Sequence, residues 1–99
     1  MNNISPTEAN LTEYRIIDVR EPDEFSGELG HVCGAELHPL GELNAHAETW
    51  ARDQPLLVIC KRGGRSAKAY RHLISMGFTN VTNLVGGMMA WNEDGLEVQ

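Results

Sequence analysis

Cys60 is the residue best placed to do chemistry. It begins the run Cys60-Lys61-Arg62-Gly63-Gly64-Arg65-Ser66, directly after the apolar stretch Leu56-Leu57-Val58-Ile59 and before a segment with helical spacing. Gly63 and Gly64 can take positive φ at little cost, so successive backbone N–H groups can turn inward as an anion-binding nest. A helix starting near Arg65-Ser66 adds its positive N-terminal end, and Lys61, Arg62 and Arg65 add full charges. Each of these influences favours the thiolate, the nucleophilic form of cysteine. The pattern predicts a nucleophile inside a cradle for a second anion. A free cysteine is more commonly a small buried hydrophobe, but a hydrophobe has no use for two glycines and three cations at its side.

The elements that must position this loop follow from the apolar pattern. Ile16, Ile17 and Val19 form a short β-branched run that reads as a buried strand. Pro22 suits the first position of a helix, and Asp23 and Glu24 suit its positive end; Gly27 and Gly30 keep that helix short. A second strand is expected near Ala35 to His38, ended by Pro39. Leu40, Leu43, Ala47, Trp50 and Ala51 recur at helical spacing. Leu56 to Ile59 is apolar at every position, as in a strand covered on both faces. After the cysteine loop, a helix carries Ala67, Tyr70, Leu73 and Ile74 on one face, with Gly77 at its C-cap and Phe78 packing back. Val81 to Val85 reads as a strand, and Gly86-Gly87 turns into a last helix with Met88, Met89 and Trp91, where the glycines form a turn and Trp91 a core anchor. Alternation of this kind predicts a parallel sheet with helices on both faces, with ligands bound at the carboxyl ends of the strands. Cys60 lies at that end of the most buried strand.

Composition limits the alternatives. With 99 residues and 41% apolar content, residues 1–99 read as a single α/β domain. No apolar run approaches the roughly 20 residues of a spanning helix, and the start lacks the basic and apolar regions of a secretory signal. Two cysteines are too few for a disulfide framework, so a cytoplasmic protein with reduced thiols is expected. The histidines and cysteines show no zinc spacing; no metal and no cofactor is expected. Five of the eight Lys and Arg residues lie between Lys61 and Arg71, with no acid among them, although the whole chain has a net charge of -6. The cations are concentrated where an anion would bind, while the remaining surface would repel nucleic acid.

At these residues the chain resembles a known family. Cys60-Lys61-Arg62-Gly63-Gly64-Arg65-Ser66 is similar to the active-site loop of single-domain rhodanese-like sulfurtransferases. Ile17-Asp18-Val19-Arg20-Glu21-Pro22-Asp23-Glu24-Phe25, Gly30-His31-Val32-Cys33-Gly34-Ala35 and Leu84-Val85-Gly86-Gly87-Met88-Met89-Ala90-Trp91 resemble the family's other signatures, in the same order. The resemblance implies a three-layer α/β/α sandwich around a small four- to five-stranded parallel sheet. It implies that Cys60 takes sulfane sulfur from an anionic donor such as thiosulfate, becomes a persulfide, and passes the sulfur to a thiol, a protein acceptor or cyanide. Arg65 would orient the anion, while Lys61, Arg62, Gly63, Gly64 and Ser66 would form the substrate pocket.

Asp18 and Arg20 end a buried strand on the ligand side and are expected to support the loop, with Asp18 holding backbone groups or Arg20. His31 matches a histidine that ties loops together in the family, and His38, His46 and His72 are expected at the surface or an edge. Cys33 departs from the family pattern, which usually has proline there; a neutral replacement is preferred over a resolving thiol, which would require the two Cα atoms to approach within ~7 Å. Two alternatives stand beside the transferase: a non-catalytic binding or regulatory module of the same fold, and a cysteine-dependent phosphatase or anion reductase. Related phosphatases have a loop one residue longer than the four residues between Cys60 and Arg65, so phosphate transfer is the weaker enzyme reading.

Overall fold

The computed structural model describes residues 1–99. The chain runs β1 (Asn3–Ile4), β2 (Arg15–Asp18), α1 (Pro22–Phe25), β3 (Glu36–Leu37), α2 (Leu43–Ala47), β4 (Leu56–Ile59), α3 (Gly64–Ser75), β5 (Val81–Leu84) and α4 (Gly87–Glu93), with short 3₁₀ turns before β2 and α2. All five strands are parallel, in the order β1-β5-β4-β2-β3. No helix is long and apolar enough to cross a membrane.

β4 is central because all four of its side chains are apolar and can be buried on either face. The period of two divides them. Leu56, Val58 and Cys60 face a layer containing Leu43, Ala47, Trp50, Ala69, Leu73 and Phe78. Leu57 and Ile59 face the opposite layer, with Val32, Met88 and Trp91. This is the three-layer α/β/α arrangement expected from the alternation, with five strands. Each fully buried Leu, Ile or Val contributes about 1.5–3 kcal/mol of transfer free energy, so β4 and β2 make a rigid base for the loop that follows.

Four details differ from the sequence expectations. β1 is a two-residue edge strand that pairs Asn3 with Asn83 and Ile4 with Leu84; it is too short to have a periodicity. The helix expected over Leu40 to Ala51 is a 3₁₀ turn followed by α2, which stops at Ala47. It stops there because Arg52 turns back onto it, donating to the carbonyls of Ala47 at 3.0 Å and Trp50 at 2.7 Å. α3 begins at Gly64, one residue before the expected start. Its buried stripe is Ser66, Ala69 and Leu73, while Ile74 is exposed. The phase is shifted because the polar Ser66 is drawn inward by buried hydrogen-bond partners.

Candidate active site

The thiol of Cys60 lies where β4 ends, and the residue is 1% exposed. The next turn bends back over it. Gly63, at φ +124°, a backbone state that side chains disfavour, brings its N–H to 2.9 Å from Cys60 Sγ. The N–H groups of Lys61, Arg62, Gly64, Arg65 and Ser66 have no hydrogen-bond partner within the protein. Three belong to the first turn of α3, whose leading N–H groups are free by construction. One N–H of this segment thus lies on the sulfur, and five more have no partner in the protein.

Ser66 is the other neighbour of the sulfur. Its Oγ is 3.4 Å from Sγ and 2.6 Å from Asn83 Oδ1. Asn83 in turn donates from Nδ2 to Asn3 Oδ1 at 3.1 Å. A hydroxyl has one proton and two lone pairs. With the proton on Asn83, Ser66 accepts from the thiol; with the sulfur ionised, the same hydroxyl can rotate and donate to it. Asn83 was not among the residues singled out in the sequence. It is joined to Ser66 only by the pairing of β5 with β4, in which Asn83 lies beside Val58.

Arg65 lines the cavity, but its guanidinium is already held. Nη1 and Nη2 donate to the two carboxylate oxygens of Glu24 at 2.6 and 2.8 Å. These hydrogen bonds, opposed by burial and aided by the Glu21 N–H, hold the Glu24 carboxyl at about 2, well below its usual 4.5. The same bonds raise Arg65. Three of the five N–H donors of Arg65 are left over. Lys61, Arg62 and Lys68 form no ion pair. With Cys60, Gly64 and Arg65 they line a cavity of about 390 Å³. A second cavity of about 370 Å³ shares Lys61 and Arg62 and is walled on the far side by Asp23, Glu24 and Glu28.

Asp18 and Arg20 do not touch the sulfur. They form a buried pair, with Arg20 Nη2 2.8 Å from Asp18 Oδ2, and Arg20 also donates to the carbonyls of Glu24 and Gly30 at 3.1 and 2.8 Å. The pair fastens the end of β2 to α1, the helix that presents Glu24 to Arg65. α1 itself is set by Pro22 in its first turn and a reciprocal capping box between Glu21 and Glu24. His31 stacks on Phe25 at 3.8 Å between ring centroids, and its Nδ1 lies 3.0 Å from the Phe25 carbonyl oxygen. These contacts fasten the segment at His31 to the end of α1. His38 and His46 meet at 2.8 Å between Nδ1 atoms beside Trp50, at the surface as expected. No three His, Cys, Asp or Glu side chains converge as a metal site would require. Cys33 is a free, exposed thiol and Cys60 a free, buried one.

The start of α4 completes the site from behind. Met88 N–H donates to the Cys60 carbonyl at 2.9 Å, and Met89 N–H to the Lys61 carbonyl at 3.0 Å. The sequence reading of Gly86-Gly87 as a turn is correct as far as it goes, but it overlooks this contact with the loop.

Comparison with known proteins agrees with this architecture. A model of the Rhodanese-like domain matches residues 5–94. The chain is 37% identical to thiosulfate sulfurtransferase 16 of Arabidopsis thaliana, a chloroplastic protein, over 87% of this chain and 80% of that one. It is 35% identical to the thiosulfate sulfurtransferase GlpE of Ectopseudomonas mendocina, over 89% of this chain and 82% of that one. The crystal structure of a rhodanese-related protein from Thermoplasma volcanium superimposes with a TM-score of 0.87 at 31% identity, covering 98% of this chain and 96% of that one. With nearly the whole sequence matched and the fold superimposed from end to end, the chain belongs to the family of rhodanese-like domains.

Proposed function

We propose that the protein is a sulfurtransferase that carries sulfane sulfur on Cys60. The observation that carries this reading is the sulfur at the floor of a cationic cavity, with the Gly63 N–H 2.9 Å away and five unpartnered N–H groups in the same loop and helix start. Cys60, as the thiolate, attacks the outer sulfur of thiosulfate. A new S–S bond forms, the bond from that sulfur to the sulfonate breaks, and sulfite leaves with the electron pair. The product is an anionic persulfide on Cys60, held by the loop N–H groups without any reorganisation. A nucleophilic acceptor (cyanide or a thiolate) then attacks the outer sulfur and returns Cys60 to the thiolate. No external oxidant or reductant enters the cycle.

Lys61, Arg62 and Lys68 meet the charge of the donor, because none is committed to an internal acid. Arg65 acts from a fixed position: Glu24 holds its plane, and three N–H groups remain for the ligand. Ser66, with its hydroxyl 3.4 Å from the sulfur, can rotate to donate to it when sulfur is negative. Two relatives that bear the name thiosulfate sulfurtransferase lend support to the donor class.

The test is steady-state kinetics with thiosulfate and cyanide as the varied pair. Parallel double-reciprocal lines, with thiocyanate and sulfite as products and no turnover in Cys60→Ala, are expected of a covalent two-step cycle. Intersecting lines, or turnover that survives loss of Cys60, would remove the persulfide from the scheme.

A further inference from the structure

The loop around Cys60 is held from behind by a contact that only glycine permits. Gly87 is the first residue of α4, at φ +57°. A methyl group built on it would lie 2.7 Å from both the carbonyl carbon and the carbonyl oxygen of Lys61, and closer still to the carbonyl oxygen of Cys60. All three are backbone atoms, so nothing can swing aside; α4 and the loop would have to separate. Only at this close approach do the Met88 and Met89 N–H groups reach the Cys60 and Lys61 carbonyls.

A trans peptide is planar, and its N–H points opposite to its C=O. The Cys60 carbonyl directed at Met88 therefore turns the Lys61 N–H away from α4. The Lys61 carbonyl directed at Met89 does the same to the Arg62 N–H. The cavity that contains Cys60, Lys61 and Arg62 has no α4 residue in its wall, and neither N–H has a partner in the protein. Two of the donors in the nest are thus oriented by a helix that lies outside the wall of that cavity, although its Met89 lines the neighbouring one.

We propose that Gly87 is a positioning residue for this site: it lets α4 clamp the carbonyls of Cys60 and Lys61, and the clamp directs the Lys61 and Arg62 N–H groups at a bound anion. The kinetic consequence rests on the sulfurtransferase reading, but the orientation of the loop does not.

The experiment uses Cys33→Ser as the parent, so that Cys60 is the one thiol. Alkylation of Cys60 is timed by intact mass with anionic iodoacetate and with neutral iodoacetamide, and persulfide formation is timed with thiosulfate. Gly87→Ala is compared with Gly95→Ala, since Gly95 also has positive φ but nothing within 4 Å of the added methyl. Gly87→Ala is expected to lower the iodoacetate-to-iodoacetamide ratio by about threefold or more, since two donors to the anion are misdirected. It should also slow persulfide formation by about tenfold, with Gly95→Ala matching the parent in both. General loosening of the structure changes the rates with both reagents together and leaves their ratio unmoved. A folded Gly87→Ala with the parent's ratio would overturn the proposal. Should Gly87→Ala not fold, the same ratio is read on synthetic protein with an ester in place of the peptide N–H of Met88, which deletes one clamp bond and no side chain; an unchanged ratio there overturns it equally. If the parent forms no persulfide from thiosulfate while the ratio still falls, the donor reading fails and the clamp stands.

Discussion

At the residue scale, the sulfur was legible and its helpers were only partly so. A cysteine followed by glycines and cations after an apolar strand stands out in the sequence, because those residues occupy seven consecutive positions. Glu24 could not be found in that way. It is 41 residues from Arg65, and nothing in α1 marks its carboxylate as a partner rather than a helix-start acid. Asn83 is hidden for the same reason, since its contact with Ser66 depends on strand register. Two consequences can be measured. Ser66→Ala removes the hydroxyl that donates to ionised sulfur; the expected result is persulfide formation slowed by about tenfold or more, as for the loss of one charge-assisted hydrogen bond, and a stopped-flow trace with thiosulfate reads it. The Glu24–Arg65 pair gives a pH signature. The folded value of Glu24, about 2, lies below its ordinary 4.5, so the pair stabilises the fold above the ordinary value and the contribution is lost as pH falls toward the folded one. With side chains 27% and 35% exposed, solvent limits the stabilisation to about 1 kcal/mol or less. The urea midpoint of wild type should exceed that of Glu24→Gln at pH 7, and the difference should shrink by pH 3. A difference that grows on acidification would contradict the pairing.

At the element scale, strong periodicity was a good guide and short elements were not. β2 and β4 announce themselves through apolar residues that must be buried on both faces, β5 through Val81, Leu84 and the glycine turn after it, and the parallel sheet follows from their alternation with helices. β1 has two residues, which is too few for a pattern, and it is a strand because an edge of the sheet is there to pair with it; β3 is as short but lies within the Ala35 to His38 stretch that Pro39 marks off. The premature end of α2 is a tertiary effect. Arg52 offers its guanidinium to the carbonyls of Ala47, Trp50 and Met76 and lies over the Phe78 ring at 4.6 Å. It thereby supplies donors to carbonyls at the ends of both α2 and α3. Arg52→Ala should lower stability by about 1–3 kcal/mol through those lost bonds, read as a drop in urea midpoint at unchanged slope. A midpoint equal to wild type would mean that water replaces the guanidinium without cost.

For the whole molecule, charge distribution has more to say than net charge. The chain carries 14 acids against 8 Lys and Arg, yet three of the cations around Cys60 have no acidic partner. An anionic donor is repelled by most of the surface and attracted to one mouth. Such attraction acts over about 10 Å at 0.1 M salt and is screened beyond that. The kcat/KM for thiosulfate should therefore fall as potassium chloride is raised, with a smaller change in kcat, and Lys61→Ala should flatten the dependence. A salt-independent kcat/KM would place the donor's charge away from this mouth. All of this requires that Cys60 carry the sulfur. Intact mass after exposure to thiosulfate tests it most directly, on wild type, Cys60→Ala and Cys33→Ala. A gain of one sulfur atom in wild type and Cys33→Ala, removed by cyanide and absent from Cys60→Ala, is the expected result. A folded, reduced wild-type protein that gains nothing, or a gain that persists without Cys60, would contradict it.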